Sequence, residues 1–171
     1  QNTRNNKTGA NKLSEITITG RKRLALLSGR AHQGLALEIA ELLGTELVPT
    51  TAYDFASGET FVRFEESVRG VDAFVIQAHP APVNHWLMEQ LLMVDALKRA
   101  SAKRITAVVP FYGYARQDRK AAGREPITAR LVADMFKAAG AKRMISIDLH
   151  SGQIQGFFDG PVDHLTAMPV L

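Results

Sequence analysis

The chain has 171 residues, 46% hydrophobic and 22% charged, which is enough for one ordinary hydrophobic core. No apolar run approaches the roughly 20 residues that span a bilayer, the start shows no apolar leader segment, and the absence of cysteine excludes disulfides and thiolate metal sites. The net charge of +4 comes without a long basic stripe or interleaved aromatics, which suits small phosphorylated ligands and argues against nucleic acid.

Residues 1–20 are rich in Asn, Thr, Lys and Gly and read as a disordered tail. Leu24-Ala25-Leu26-Leu27 is a buried-strand pattern stopped by Ser28-Gly29. Leu35, Ile39, Leu42 and Leu43 recur at helical spacing, with Gly44 as the stop. Glu46–Thr50 and Thr60–Phe64 read as short strands flanking the Phe55-Ala56-Ser57-Gly58-Glu59 turn, and Ala73–Ile76 as another buried strand. Trp86, Leu87, Leu91, Val94 and Leu97 mark one face of a long helix. Ile105–Val109 is a strand closed by Pro110. Pro126 suits a first helical turn, with Leu131, Met135 and Ala138 on the face and Gly140 at the end. Met144–Leu149 reads as the last clear strand.

This alternation predicts an α/β fold with a mostly parallel sheet flanked by helices on both faces. Ligands of such sheets bind outside the carboxyl ends of the strands. Three polar loops fall there: Ser28-Gly29-Arg30-Ala31-His32, the basic loop from Arg116 to Arg124, and Asp148-Leu149-His150 with the residues after it.

In the second loop, Arg116 offers a planar cation able to stack on a base and bind phosphate oxygens. Gln117 offers an amide for a polar edge, and Lys120 and Arg124 offer charge against polyphosphate. A solvated charged loop is the plainer alternative. Asp118 reads as a carboxylate that holds the arginines in place. Asp148 and His150, two apart on a strand, would share a face and either hold a divalent cation or form a loop-tying hydrogen bond. Asp159, Asp163 and His164 read as turn and surface residues. Phe55 is either a platform for a base, with Glu59 accepting from an exocyclic amine, or a core residue beside a turn. The phosphate-binding loop signature and the Gly-x-Gly-x-x-Gly, Gly-x-Ser-x-Gly and His-Glu-x-x-His motifs are all missing.

Several long motifs carry a resemblance. They are Tyr114-Ala115-Arg116-Gln117-Asp118-Arg119-Lys120, then Arg124-Glu125-Pro126-Ile127-Thr128-Ala129-Arg130-Leu131-Val132-Ala133, then Asp148-Leu149-His150 through Gly156-Phe157-Phe158-Asp159. In this order they resemble ribose-phosphate pyrophosphokinases of the bacterial, actinobacterial type, from about Leu24 to Leu171. The resemblance implies a phosphoribosyltransferase-like domain over residues 21–171, the N-terminal of two, with the second absent from this chain. It implies transfer of the pyrophosphoryl group of ATP to the C1 hydroxyl of ribose 5-phosphate, magnesium as cofactor, a homohexamer and a cytoplasmic setting. The alternative is a non-catalytic regulatory relative or nucleotide-sensing module.

Residue by residue, the resemblance gives Arg116 and Gln117 to ATP. It places Phe55, Ser57, Gly58 and Glu59 of a neighbouring subunit on the other side of the base. It gives His150 and Asp148 to the metal, and Ser67 and Arg69 to a regulatory site for ADP or phosphate. It names no catalytic group among these 171 residues. Two departures stand out: Ser57 replaces the family's Asn or Asp, and Gly113 replaces a usual Pro, which should loosen the approach to the basic loop.

Overall fold

A computed structural model describes residues 23–170. The tail expected over residues 1–20 lies outside the described residues. Five strands form one wholly parallel sheet: β1 (Leu24–Ser28), β4 (Asp72–Ile76), β5 (Arg104–Val109), β6 (Arg143–Ile147) and β7 (Val162–Leu165), side by side in that order. Helix α1 (Gln33–Leu42) follows β1, α2 (Val83–Arg99) joins β4 to β5, and α3 (Thr128–Ala139) joins β5 to β6. Strands β2 (Thr50–Asp54) and β3 (Thr60–Phe64) form a separate antiparallel hairpin whose β3 packs on α2.

Alternation along the strands divides the core. Ala25, Leu27, Ala73, Val75, Ile105, Ala107, Val109 and Met144 point to one face, where they join Leu87, Leu91, Val94 and Leu97 of α2 and Val132, Ala133 and Phe136 of α3. Leu26 and Ile76 point to the other face; they are buried outside that cluster, as are Ala36 and Ala40 of α1, which packs on β1. Among the described residues, no helix is long and apolar enough to cross a membrane.

Two helices are rotated from the faces read in the sequence. On α1 the buried positions are Ala36 and Ala40, Leu35 and Ile39 are half-buried, and Leu42 is 87% exposed. Small side chains let a helix approach a sheet closely, so the alanines take the contact. On α3 the buried stripe is Ala129, Val132, Ala133 and Phe136, while Leu131 is exposed. Pro126 precedes the cap residue Ile127, so it lies just outside the helix. The stops hold: Gly44 has φ +62 and Gly140 φ +128, conformations that glycine adopts without steric cost.

Two strand boundaries also differ. The first hairpin strand begins at Thr50, and only Leu47 before it bridges, to Leu26. β6 ends at Ile147, and β7 begins within the Asp159–His164 segment that reads as turn and runs to Leu165.

Candidate functional site

A cavity of about 820 Å³ opens at the carboxyl ends of β5 and β6. Its walls are Pro82–Asn84 at the start of α2, Phe111–Gln117 after β5, and Ile147–His150 after β6. It therefore unites Arg116, Gln117, Asp148 and His150, the four residues expected there from two separate loops.

Hydrogen bonds fix the wall after β5. The Tyr112 hydroxyl donates to the Ala129 carbonyl (2.9 Å), and the Gly113 N–H donates to Nδ1 of His79 (3.1 Å). His79 is fully buried, stacks on Phe136 and meets Oε1 of Gln90 through Nε2 (2.8 Å). Desolvation lowers its pKa from the ordinary 6.5 to about 4, against a smaller opposing effect of the Gln90 bond. Gly113 is thus packed: a Cβ there would lie 2.8 Å from Cγ1 of Val83, and a proline would lack the N–H that His79 accepts. The looseness expected from this glycine is not found. Tyr114, at φ +66, donates its hydroxyl to the Asn84 side chain.

Arg116 and Gln117 are exposed at the rim. Gln117 is held by its backbone, which accepts from Ala129 N (3.0 Å), and by Oε1, which accepts from the Thr128 hydroxyl (2.5 Å). Its amide N–H₂ is left to face outward. Arg116 and Lys120 have no ion pair or side-chain hydrogen bond among the described residues. Glu125 accepts from the N–H groups of Ala121 (2.7 Å) and Ala122 (2.9 Å), closing the loop between them, and these bonds hold its carboxyl below the usual range.

Asp118 does not hold the arginines. Its buried carboxylate accepts from the Ser151 hydroxyl (2.5 Å) and Gln153 Nε2 (2.9 Å), so it stitches the basic loop to the segment just after His150. The Ser151 bond is the main cause of its lowered pKa. Sequence reasoning missed this contact because the partners are more than thirty residues away.

Asp148 and His150 lie beyond the end of β6, so strand alternation does not relate them. Asp148 has φ +46, a conformation that Asp tolerates better than most residues. Its carboxylate accepts weakly from Ala167 N (3.3 and 3.4 Å). No Asp148–His150 hydrogen bond is found among the described residues, which removes the loop-tying alternative in that form. His164 serves that purpose instead, its Nε2 accepting from Leu149 N (3.0 Å). Asp163 pairs with Arg143 (2.8 Å) and Asp159 with Lys137 (3.3 Å), both structural.

Phe55, Ser57, Gly58 and Glu59 sit at the tip of the β2–β3 hairpin and none of them lines the cavity. Phe55 is 48% exposed, so it is not a core residue. Tyr53 and Phe61 pack at its edge, with ring centroids 5.3 and 6.2 Å away. The Ser57 hydroxyl donates to Glu59 (2.7 Å). Ser67 lines a separate recess beside the start of β1, and Arg69 is exposed on the same turn.

Fold and cavity together define a class: an open parallel α/β domain with a pocket at the carboxyl edge of its sheet that presents Arg116, Gln117, Asp148 and His150. Residues 24–140 match the N-terminal domain of ribose phosphate pyrophosphokinase. The chain belongs to this family. A ribose-phosphate pyrophosphokinase of Streptomyces avermitilis is 62% identical over 159 residues, 93% of this chain and 49% of that protein. One from Corynebacterium efficiens is 67% identical over 150 residues, 88% of this chain and 46% of that protein. The crystal structure of phosphoribosylpyrophosphate synthetase from Mycobacterium smegmatis superposes with a TM-score of 0.86 at 66% identity, over 87% of this chain and 50% of that one. The chain spans about half the length of the curated relatives it matches.

Proposed function

We propose that residues 21–171 form the ATP-binding, N-terminal domain of a ribose-phosphate pyrophosphokinase. The observation that carries this reading is the convergence of an unpaired Arg116, an outward-facing Gln117 amide and an exposed His150 on one cavity. Arg116 stacks on the adenine and meets phosphate oxygens. Gln117 donates to an acceptor on the nucleotide, and Lys120 and Arg124 offset triphosphate charge. Phe55 and the Ser57-Gly58-Glu59 turn stand outside this cavity, and by the family resemblance they would close it from a neighbouring copy within a homohexamer.

Among the described residues, no three His, Asp or Glu side chains lie close enough to hold an ion by themselves. Asp148 and His150, both exposed on the cavity wall, fit magnesium carried in by the triphosphate, which keeps waters and needs only one or two protein groups. His150, with Asp148 beside it, would hold it; when bound, the ion neutralises charge on the phosphates. The C1 hydroxyl of ribose 5-phosphate then attacks the β-phosphorus in line. Its O–P bond forms as the bond from that phosphorus to the α,β-bridging oxygen breaks, and AMP leaves with 5-phosphoribosyl 1-pyrophosphate as the other product. The residues described here bind and orient ATP. In this reading the groups that bind the pentose and stabilise the transition state belong to the part of the relatives' length that the chain does not cover. ADP or phosphate would regulate through Ser67 and Arg69, and the setting is cytoplasmic.

Phosphorus NMR of the chain with magnesium, ATP and ribose 5-phosphate tests this. The expected result is ATP resonances shifted and broadened by binding, without AMP. Unperturbed ATP resonances contradict the assignment of the cavity; turnover contradicts the division of labour.

A further inference from the structure

We propose that Arg30 is a positioning residue that braces the β2–β3 hairpin, holding Phe55 at a fixed place relative to the sheet. This rests on the reading of Phe55 as one wall of a base site, and it concerns a network that the cavity does not include.

The brace starts in the core. Glu89 of α2 has a fully buried side chain, and its carboxylate accepts from Arg30 N (2.7 Å), Arg30 Nε (2.5 Å) and Gln77 Nε2 (2.9 Å). Gln77 also accepts from Ala31 N (3.1 Å) and packs so closely on Gly29 that a Cβ there would lie 2.3 Å from its amide. The backbone of Arg30 is therefore fixed at both sides. Its guanidinium lies 5.9 Å from the centre of the Trp86 ring and reaches outward to Asp54, with Nη2–Oδ1 at 2.7 Å and Nη1–Oδ2 at 3.3 Å.

Asp54 is the last residue of β2 and immediately precedes Phe55. It also accepts from the Thr60 hydroxyl across the hairpin (2.9 Å). Beyond it, Phe55 N donates to Glu59 O and Gly58 N to Phe55 O, both at 2.8 Å, so the turn is internally closed. The hairpin shares no ladder with the main sheet. Arg30 thus links a buried carboxylate directly to the root of the exposed turn, beside a longer contact from His85 of α2 to Asp54 (3.7 Å) and the packing of β3 on α2. A buried ion pair is seldom better for stability than apolar packing of the same volume. Its retention here serves orientation.

The test compares Asp54→Ala, Thr60→Val and Phe55→Ala with the unaltered chain. Asp54→Ala leaves Arg30 paired with Glu89, so no buried charge is orphaned and the fold is kept. Hydrogen exchange of residues 50–64 should quicken by about three- to tenfold, the range expected for losing a partly exposed bidentate pair, with β1, β4 and β5 unchanged. Thr60→Val should leave exchange unaltered. Calorimetric affinity for magnesium ATP should fall with Asp54→Ala in step with Phe55→Ala. Unchanged exchange in Asp54→Ala, or equal loosening by Thr60→Val, overturns the brace. Faster exchange with affinity lost only in Phe55→Ala overturns its role in positioning. If Phe55→Ala leaves affinity intact, the base-wall reading fails by itself, and the exchange data alone decide for or against the brace.

Discussion

Protonation of His79 should destabilise the fold well above the pH at which its carboxylates titrate. Its Nδ1 accepts from Gly113 N, and its Nε2 faces Oε1 of Gln90, whose own amide nitrogen donates to the carbonyls of Val75 (2.9 Å) and Val108 (3.1 Å). The ring is therefore neutral, with its proton on Nε2. A second proton on Nδ1 would point at the Gly113 N–H inside a dry core. The folded pKa is about 4 against 6.5 when unfolded, so the unfolded chain binds the proton first. The contribution is complete above the unfolded value and is lost as pH falls from there toward about 4. At 1.36 kcal/mol per unit, the full shift is about 3 kcal/mol, of which about 2 kcal/mol is gone by about pH 5. Urea denaturation at about pH 7.5 and about pH 5, on the unaltered chain and on His79→Gln, measures it. The variant should be less stable at the higher pH and should lose less between the two. An equal pH-dependent loss in both would refute the account of His79.

Gly113→Pro should destabilise by about 1–3 kcal/mol, since it removes the donor to His79 and leaves a buried acceptor unpaired. At this size that lowers the melting temperature by about 2–4 °C per kcal/mol, which calorimetry would register; an unchanged or raised value would contradict the packing described. Asp118→Ala should weaken magnesium ATP binding by about tenfold, as both loops lose a charge-assisted anchor, while Asp118→Asn should lose less. Equal affinity in all three proteins would show that the stitch does not serve the site. The depressed pKa of Asp118 also means that its contribution persists to low pH and vanishes only as pH falls through the folded value.

Much of the frame was legible because its signals are local. β1, β4 and β5 are apolar runs with clear stops, and Leu87, Leu91, Val94 and Leu97 do form the buried stripe of α2. β7 was not legible. It is a four-residue edge strand with Asp163 and His164 in it, preceded by Asp-Gly-Pro, a composition that reads as turn. The faces of α1 and α3 were misjudged because large apolar residues stand beside smaller ones, and alanines make the closest approach. That Arg116, Gln117, Asp148 and His150 fall on loops at the carboxyl ends of neighbouring strands was legible, yet their supports were not. His79, Gln90 and Asp118 bond across the fold, and only Glu89-Gln90, two polar residues amid the apolar pattern of α2, hinted at a buried network.

The most direct measurement of the central claim is calorimetric titration of the chain with magnesium ATP, beside the same titration of Arg116→Ala. Loss of stacking and charge together should weaken binding by about tenfold or more, with the melting temperature unchanged because Arg116 is exposed and makes no ion pair or side-chain hydrogen bond among the described residues. Equal affinity in the two proteins, or none in either, would contradict the assignment of this cavity to ATP.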